Sequence, residues 1–154
     1  MSMRTSIVYG YGFEIEYISD GNIINFIKLH KKAFCKSDEE KKLYKKLLKF
    51  IEDVDYLEDF LGNYRCDNSG HEGAGAVISN IISRETGIRF EYQCGDVDCN
   101  SYQSILFAER MPWNLNKKEK KLTIESLTEI LVPYVEEFGM VRANIESLEI
   151  EYYG

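Results

Sequence analysis

Cys66 and His71 are separated by four residues, as are Cys94 and Cys99, and both pairs fall in polar, glycine-rich stretches. Thiolate and imidazole are ligands that divalent zinc favours, and four of them close a tetrahedron with no open position. A spacing of four intervening residues lets one loop offer two side chains to the same ion. The pattern predicts a structural Zn²⁺ held by Cys66, His71, Cys94 and Cys99. Competing readings of these residues are thiols packed as small apolar groups, a catalytic zinc with Glu72 as base, and a Cys66 nucleophile with His71 as base. The His-x-Glu with Cys-x2-Cys signature of zinc deaminases is absent, and nothing recognisable would orient a Cys66–His71 pair. The reading is therefore of a protein that is not an enzyme and has no catalytic residues.

Other motifs carry less. Gly70, Gly73 and Gly75 precede a helical pattern, but no Lys-Ser/Thr pair follows to complete a phosphate cradle. Asp96 and Asp98 lack the twelve-residue ligand pattern of a calcium loop. His30 continues an apolar stripe and reads as a core or boundary side chain, and Cys35 follows Phe34 at a helix end.

The elements that must position these groups follow from periodicity. Ile7, Tyr9, Tyr11, Phe13, Ile15 and Tyr17 alternate with Val8, Gly10, Gly12, Glu14 and Glu16, which predicts a strand with the aromatic face buried and room beside the glycines. Ile23, Phe26, Ile27, His30 and Phe34 recur at helical spacing. Ser37 to Glu40 reads as a capping box opening a second helix to the low fifties, and Asp55 to Leu61 as a third helix or its continuation. Ala74 to Ile82 is a helix that Gly87 ends. Ile88 to Cys94 and Tyr102 to Ala108 form a hairpin, with Cys94 and Cys99 flanking its tip. Thr123 caps a helix that Pro133 kinks, and Leu148, Ile150 and Tyr152 close the chain as a strand. The order β-α-α-(α)-α-β-β-α-β predicts one α+β domain over residues 1–154, an antiparallel sheet of about four strands packed by helices and stapled by the zinc.

Charge is uneven. The net charge of the 154 residues is −7, yet residues 28–49 hold nine lysines against Asp38, Glu39 and Glu40. Directly afterwards Glu52, Asp53, Asp55, Glu58 and Asp59 place five carboxylates in eight residues. Such an acidic strip suits a channel built for phosphates, whereas the lysines suit either solvent or nucleic acid. No apolar leader and no run of 18 apolar residues occurs, which predicts a cytoplasmic protein without a membrane partner, whose cysteines stay reduced.

The short length, acidic balance, Lys/Ile/Asn/Glu/Tyr-rich vocabulary, opening Tyr9-Gly10-Tyr11-Gly12-Phe13 and small Cys/His set are similar to phage and prophage proteins of Firmicutes. Among these the chain resembles type II-A anti-CRISPR proteins, inhibitors of RNA-guided DNA nucleases. The resemblance implies a non-enzymatic inhibitor, acting in the cytoplasm of a bacterial host, that binds a type II CRISPR effector nuclease with its guide RNA and blocks loading or binding of target DNA. Direct nucleic-acid binding is not favoured. On charge grounds Glu52, Asp53, Asp55, Glu58 and Asp59 are the candidate partner-binding residues. The alternative is a zinc-containing nucleic-acid-binding or regulatory module using the lysine-rich helices, and the third reading is a small metal-dependent hydrolase.

Overall fold

Pro is scarce, and both hairpin strands carry alternating apolar residues, so the chain can pair its strands without interruption. The computed structural model describes residues 5–15, 18–97, 101–140 and 144–153. Four strands, β1 (Thr5–Glu14), β2 (Phe90–Val97), β3 (Ser101–Glu109) and β4 (Glu146–Tyr153), pair antiparallel in the ring order β1-β3-β2-β4. Helices α1 (Asp20–Leu29), α2 (Lys31–Phe34), α3 (Asp38–Lys49), α4 (Val54–Asn63) and α5 (Ala74–Thr86) intervene between β1 and β2. A 3₁₀ turn (Pro112–Asn114), α6 (Lys117–Lys120) and α7 (Ile124–Glu137) connect β3 to β4. The α+β order expected from periodicity is therefore present, with α2, α6 and the 3₁₀ turn added as short pieces. Helix α7 runs through Pro133.

The sheet closes on itself, which alternation alone did not predict. Between β2 and β4 the pairs among the described residues are Asp96↔Glu151 and Val97↔Ile150. The two faces of β3 serve two cores: Ile105 and Phe107 pack inside the ring with Leu148 and Ile150, while Leu106 and Ala108 face the helices. Small residues on β1 make this possible. A Cβ at Gly10 would lie 2.4 Å from the Phe107 ring and 2.3 Å from the Ala108 carbonyl oxygen, and one at Gly12 would lie 2.7 Å from the Leu106 carbonyl oxygen. The aromatic face of β1 packs on the helices from Tyr11 onward: Phe13 is buried and Tyr11 and Ile15 half-buried, but Tyr9 is 52% exposed, and the glycine face is the one turned into the ring. The side chains of Ile7 and Tyr17 lie outside the described residues.

Helix α5 is the hub. Gly75 to Ile82 are buried without a break, the pattern of a helix enclosed on all sides. Gly75 seats it on β2, since a Cβ there would lie 2.2 Å from the Tyr92 ring. Gly87, at φ 76°, takes the left-handed conformation that ends the helix. The remaining caps follow their sequence signals: Ser37 and Glu40 exchange hydrogen bonds of 3.1 and 3.0 Å with each other's backbone, and Thr123 caps α7.

Candidate interaction surface

The segment from Tyr64 to Gly73 is the loop that was expected to present zinc ligands. Its backbone folds back on itself, with Cys66 N–H donating to the His71 carbonyl (2.7 Å), Gly70 N–H to Cys66 (2.9 Å) and Gly73 N–H to Tyr64 (3.2 Å). Cys66 is 2% exposed, and its Sγ lies 3.2 Å from Ser79 Oγ on α5, inside the helical core. The His71 ring instead packs edge-on against Tyr92. Cys94 does not flank a turn, because β2 continues through it to Val97; it pairs with Ser104, and its Sγ lies 3.6 Å from Ser104 Oγ. No group of three or more His, Cys, Asp or Glu side chains gathers at a metal-binding distance among the described residues, and Cys99 lies outside them. Of the predicted ligands Cys66, His71, Cys94 and Cys99, the first three are thus not gathered into a metal-binding group. The physical reason is competition: the core takes the Cys66 thiol, and the Cys94 thiol lies beside the Ser104 hydroxyl on the neighbouring strand.

The polar residues of that loop have another use. Over its first half β2 has no β4 pairing among the described residues, which leaves the Phe90 and Tyr92 carbonyls on that edge to other donors. Asn68 Nδ2 donates to the Phe90 carbonyl and Ser69 Oγ to the Tyr92 carbonyl, both at 2.8 Å, while Ser83 Oγ on α5 accepts from Phe90 N–H at 2.7 Å. The loop covers a sheet edge that would otherwise offer itself for strand pairing. Asn80 Oδ1 accepts from Asp67 N–H (2.8 Å), and its amide donates to the Arg65 carbonyl (2.9 Å) and the Tyr64 hydroxyl (3.2 Å). Burial pushes the Tyr64 hydroxyl up to about 12, so it remains protonated.

Charged side chains divide into those that hold the fold and those that face water. Arg84 donates to the Ala33 and Phe34 carbonyls at the end of α2, to Glu40 Oε2 (2.7 Å) and to Asp67 Oδ2 (3.0 Å). Glu119, 3% exposed, receives Arg89 and the N–H groups of Arg89 and Asn116. Burial alone would raise its pKa, but Arg89 and those N–H groups outweigh burial and hold the carboxyl below the usual carboxylate range. Inside the ring, burial pushes the Glu91 carboxyl up, and Gln93 Nε2 donates to it at 2.6 Å. His30 sits between α1, α5 and α7 with a carboxylate at each ring nitrogen. The ion pairs of Arg84, Arg89 and His30 were not legible in the sequence, because the partners lie 17 to 107 residues apart and no local spacing marks them.

The surface charges are where the sequence placed them. All nine lysines of residues 28–49 are exposed, and Lys41 to Asp38, at 3.9 Å, is their one ion pair among the described residues. Glu40 turns inward to Arg84, which leaves the face more basic than its composition. Glu52, Asp53, Asp55, Glu58 and Asp59 are all exposed around the start and outer side of α4, with no ion pair among the described residues. Asp53 has a local duty as well: its carboxylate accepts from Tyr56 N–H at 3.0 Å and caps α4. Asp59 receives the Asn63 amide. Helices α3 and α4 thus carry a basic strip followed by an acidic one.

No family model, no curated protein and no solved structure matches this chain. Among the described residues no helix is long and apolar enough to cross a membrane.

Proposed function

We propose that this chain is a non-catalytic interaction protein that binds a basic, nucleic-acid-handling surface through the acidic strip of α4. The partner implied by the resemblance to type II-A anti-CRISPR proteins is a type II CRISPR effector nuclease. The supporting observation is that Glu52, Asp53, Asp55, Glu58 and Asp59 are exposed together and make no ion pair among the described residues, so their charge is available to a partner. A channel that holds a guide–target heteroduplex is positively charged, and an acidic surface is steered to it and excludes DNA without reading sequence.

The test is a variant that keeps the fold. Glu52, Asp55, Glu58 and Asp59 are changed to Lys, and Asp53→Asn preserves the cap of α4. Nuclease capture and inhibition are expected to fall on the order of tenfold or more, and capture by the wild type to weaken as salt rises. Full inhibition by a folded variant would refute the contact. The second reading rests on the nine exposed lysines with Glu40 withdrawn from their face. It is favoured if the wild type shifts DNA or RNA in a gel and Lys41, Lys42 and Lys45 to Gln abolish the shift.

A structural zinc is no part of the surface this proposal uses. Four-fold ligation by Cys66, His71, Cys94 and Cys99 would require the Cys66 thiol to leave Ser79 and the buried core. Elemental analysis of protein purified without chelator is therefore expected to find no stoichiometric zinc, and chelation to leave the melting temperature unchanged. Stoichiometric zinc that Cys94→Ser abolishes would establish the staple instead.

A further inference from the structure

We propose that His30 is a proton-operated latch that, with both ring nitrogens protonated, holds the α1–α2 joint against α5 and α7, and that releases this joint on losing one proton. His30 is at once the C-cap of α1 and the N-cap of α2, at φ −111° and ψ 32°, and gives no side-chain cap to either. Its ring is occupied with a longer-range task. Nδ1 lies 2.8 Å from Glu85 Oε2 on α5, and Nε2 is hydrogen-bonded to Glu137 Oε2 at the end of α7. The imidazole packs against Phe26 of α1 (4.7 Å between centroids) and Tyr134 of α7 (5.4 Å). The Tyr134 hydroxyl donates to the other oxygen of Glu85 at 2.8 Å and fixes that carboxylate.

An ionised carboxylate only accepts, and a neutral imidazole has one N–H. Two carboxylates on one ring are both satisfied only by the imidazolium. Once a proton leaves, one half-buried carboxylate faces a lone pair, and the two acids lose the cation between them. The ionisable side chains packed on the ring are Glu85 from α5, with Glu137 and Tyr134 from α7; α1 supplies Phe26, and Lys31 and Lys32 of α2 are exposed. Burial pulls the imidazole pKa down, but the bonds to Glu137 and Glu85 and their charge outweigh it, so His30 is held above its ordinary value.

The neighbouring residue makes the response local. Arg84, beside Glu85 on α5, grips the Ala33 and Phe34 carbonyls at the far end of α2. Consecutive residues of one helix thus pin both ends of this single turn. The guanidinium stays charged at every accessible pH, so only the His30 end answers to protons. Because the folded pKa is raised, the latch contributes fully below the ordinary histidine value of about 6.5 and is lost as pH rises through the raised value. Lys28, Lys31 and Lys32 flank the joint, so its release frees the first three of the nine exposed lysines.

The test is a pH titration of the full chain labelled with ¹⁵N-histidine, in which His30 and His71 give separate signals, together with amide exchange corrected for its intrinsic pH dependence. Below neutrality both His30 nitrogens are expected to carry protons, and Glu137→Gln to lower the His30 midpoint by about one pH unit. In the wild type, protection of the Phe34 and Cys35 amides, which bond to the His30 and Lys31 carbonyls, should fall through the same midpoint. The fall reaches about tenfold for each unit by which the pKa is raised, while the α5 amides hold. A singly protonated ring below neutrality, α2 protection that ignores the His30 midpoint, or loss of α5 protection alongside α2 would each overturn the latch.

Discussion

Gly10→Val is expected to lower the melting temperature by roughly 10 °C, the equivalent of about 3 kcal/mol in a domain of this length. The new Cβ would meet the Ala108 carbonyl oxygen at 2.3 Å and the fully buried Phe107 ring at 2.4 Å, and neither can yield cheaply. The oxygen belongs to a strand paired on both sides, and Phe107 fills the centre of the ring with Ile105, Leu148 and Ile150. Gly21→Ala is the control, since nothing lies within 4 Å of a Cβ there and the site is exposed on α1. It should be neutral or stabilise by up to about 1 kcal/mol, because alanine costs less chain entropy in a helix than glycine. Thermal and denaturant unfolding of both variants measure the difference. If Gly10→Val melted like the wild type, the ring could not be closed as described.

That glycine shows where the sequence was readable and where it was not. Alternation from Ile7 to Tyr17 identified a strand and marked the glycines as a place of close approach. It could not show what approaches, because the choice of inward face depends on β3 and β4, more than ninety residues away. Closure of a sheet is a non-local outcome, whereas caps are local, and Ser37, Thr123 and Gly87 do what their spacing predicts. The Cys/His loop shows the reverse side of this. Residue types speak for metal affinity, but they do not show that Asn68 and Ser69 spend their hydrogen bonds on the edge of β2 or that Cys66 is drawn under α5. The acidic and basic strips were legible because charges that fall off a helix's apolar stripe stay exposed however that stripe is packed.

Arg84→Met is expected to cost about 3 kcal/mol, and the loss should be partly recovered by Glu40→Gln in the same chain. Arg84 and Glu40 have side-chain exposures of 19% and 12%, so deleting the guanidinium strands a carboxylate in a poorly solvated place and unbinds the Ala33 and Phe34 carbonyls that end α2. Glutamine at position 40 carries no charge to strand and can still accept from Ser37 N–H, which keeps the capping box of α3. The single change Glu40→Gln should therefore cost less than Arg84→Met, and the double variant less than the sum of the two. Asp67, 56% exposed, remains well hydrated when Arg84 is lost and contributes little to the cost. Urea unfolding of the four members of the cycle gives the coupling directly. Additive costs would mean that the pair is incidental and that Arg84 acts only through the carbonyls of α2. A coupling of about 1 kcal/mol or more would establish that the withdrawal of Glu40 from the lysine face is energetically enforced, and with it the separation of basic and acidic strips on α3 and α4.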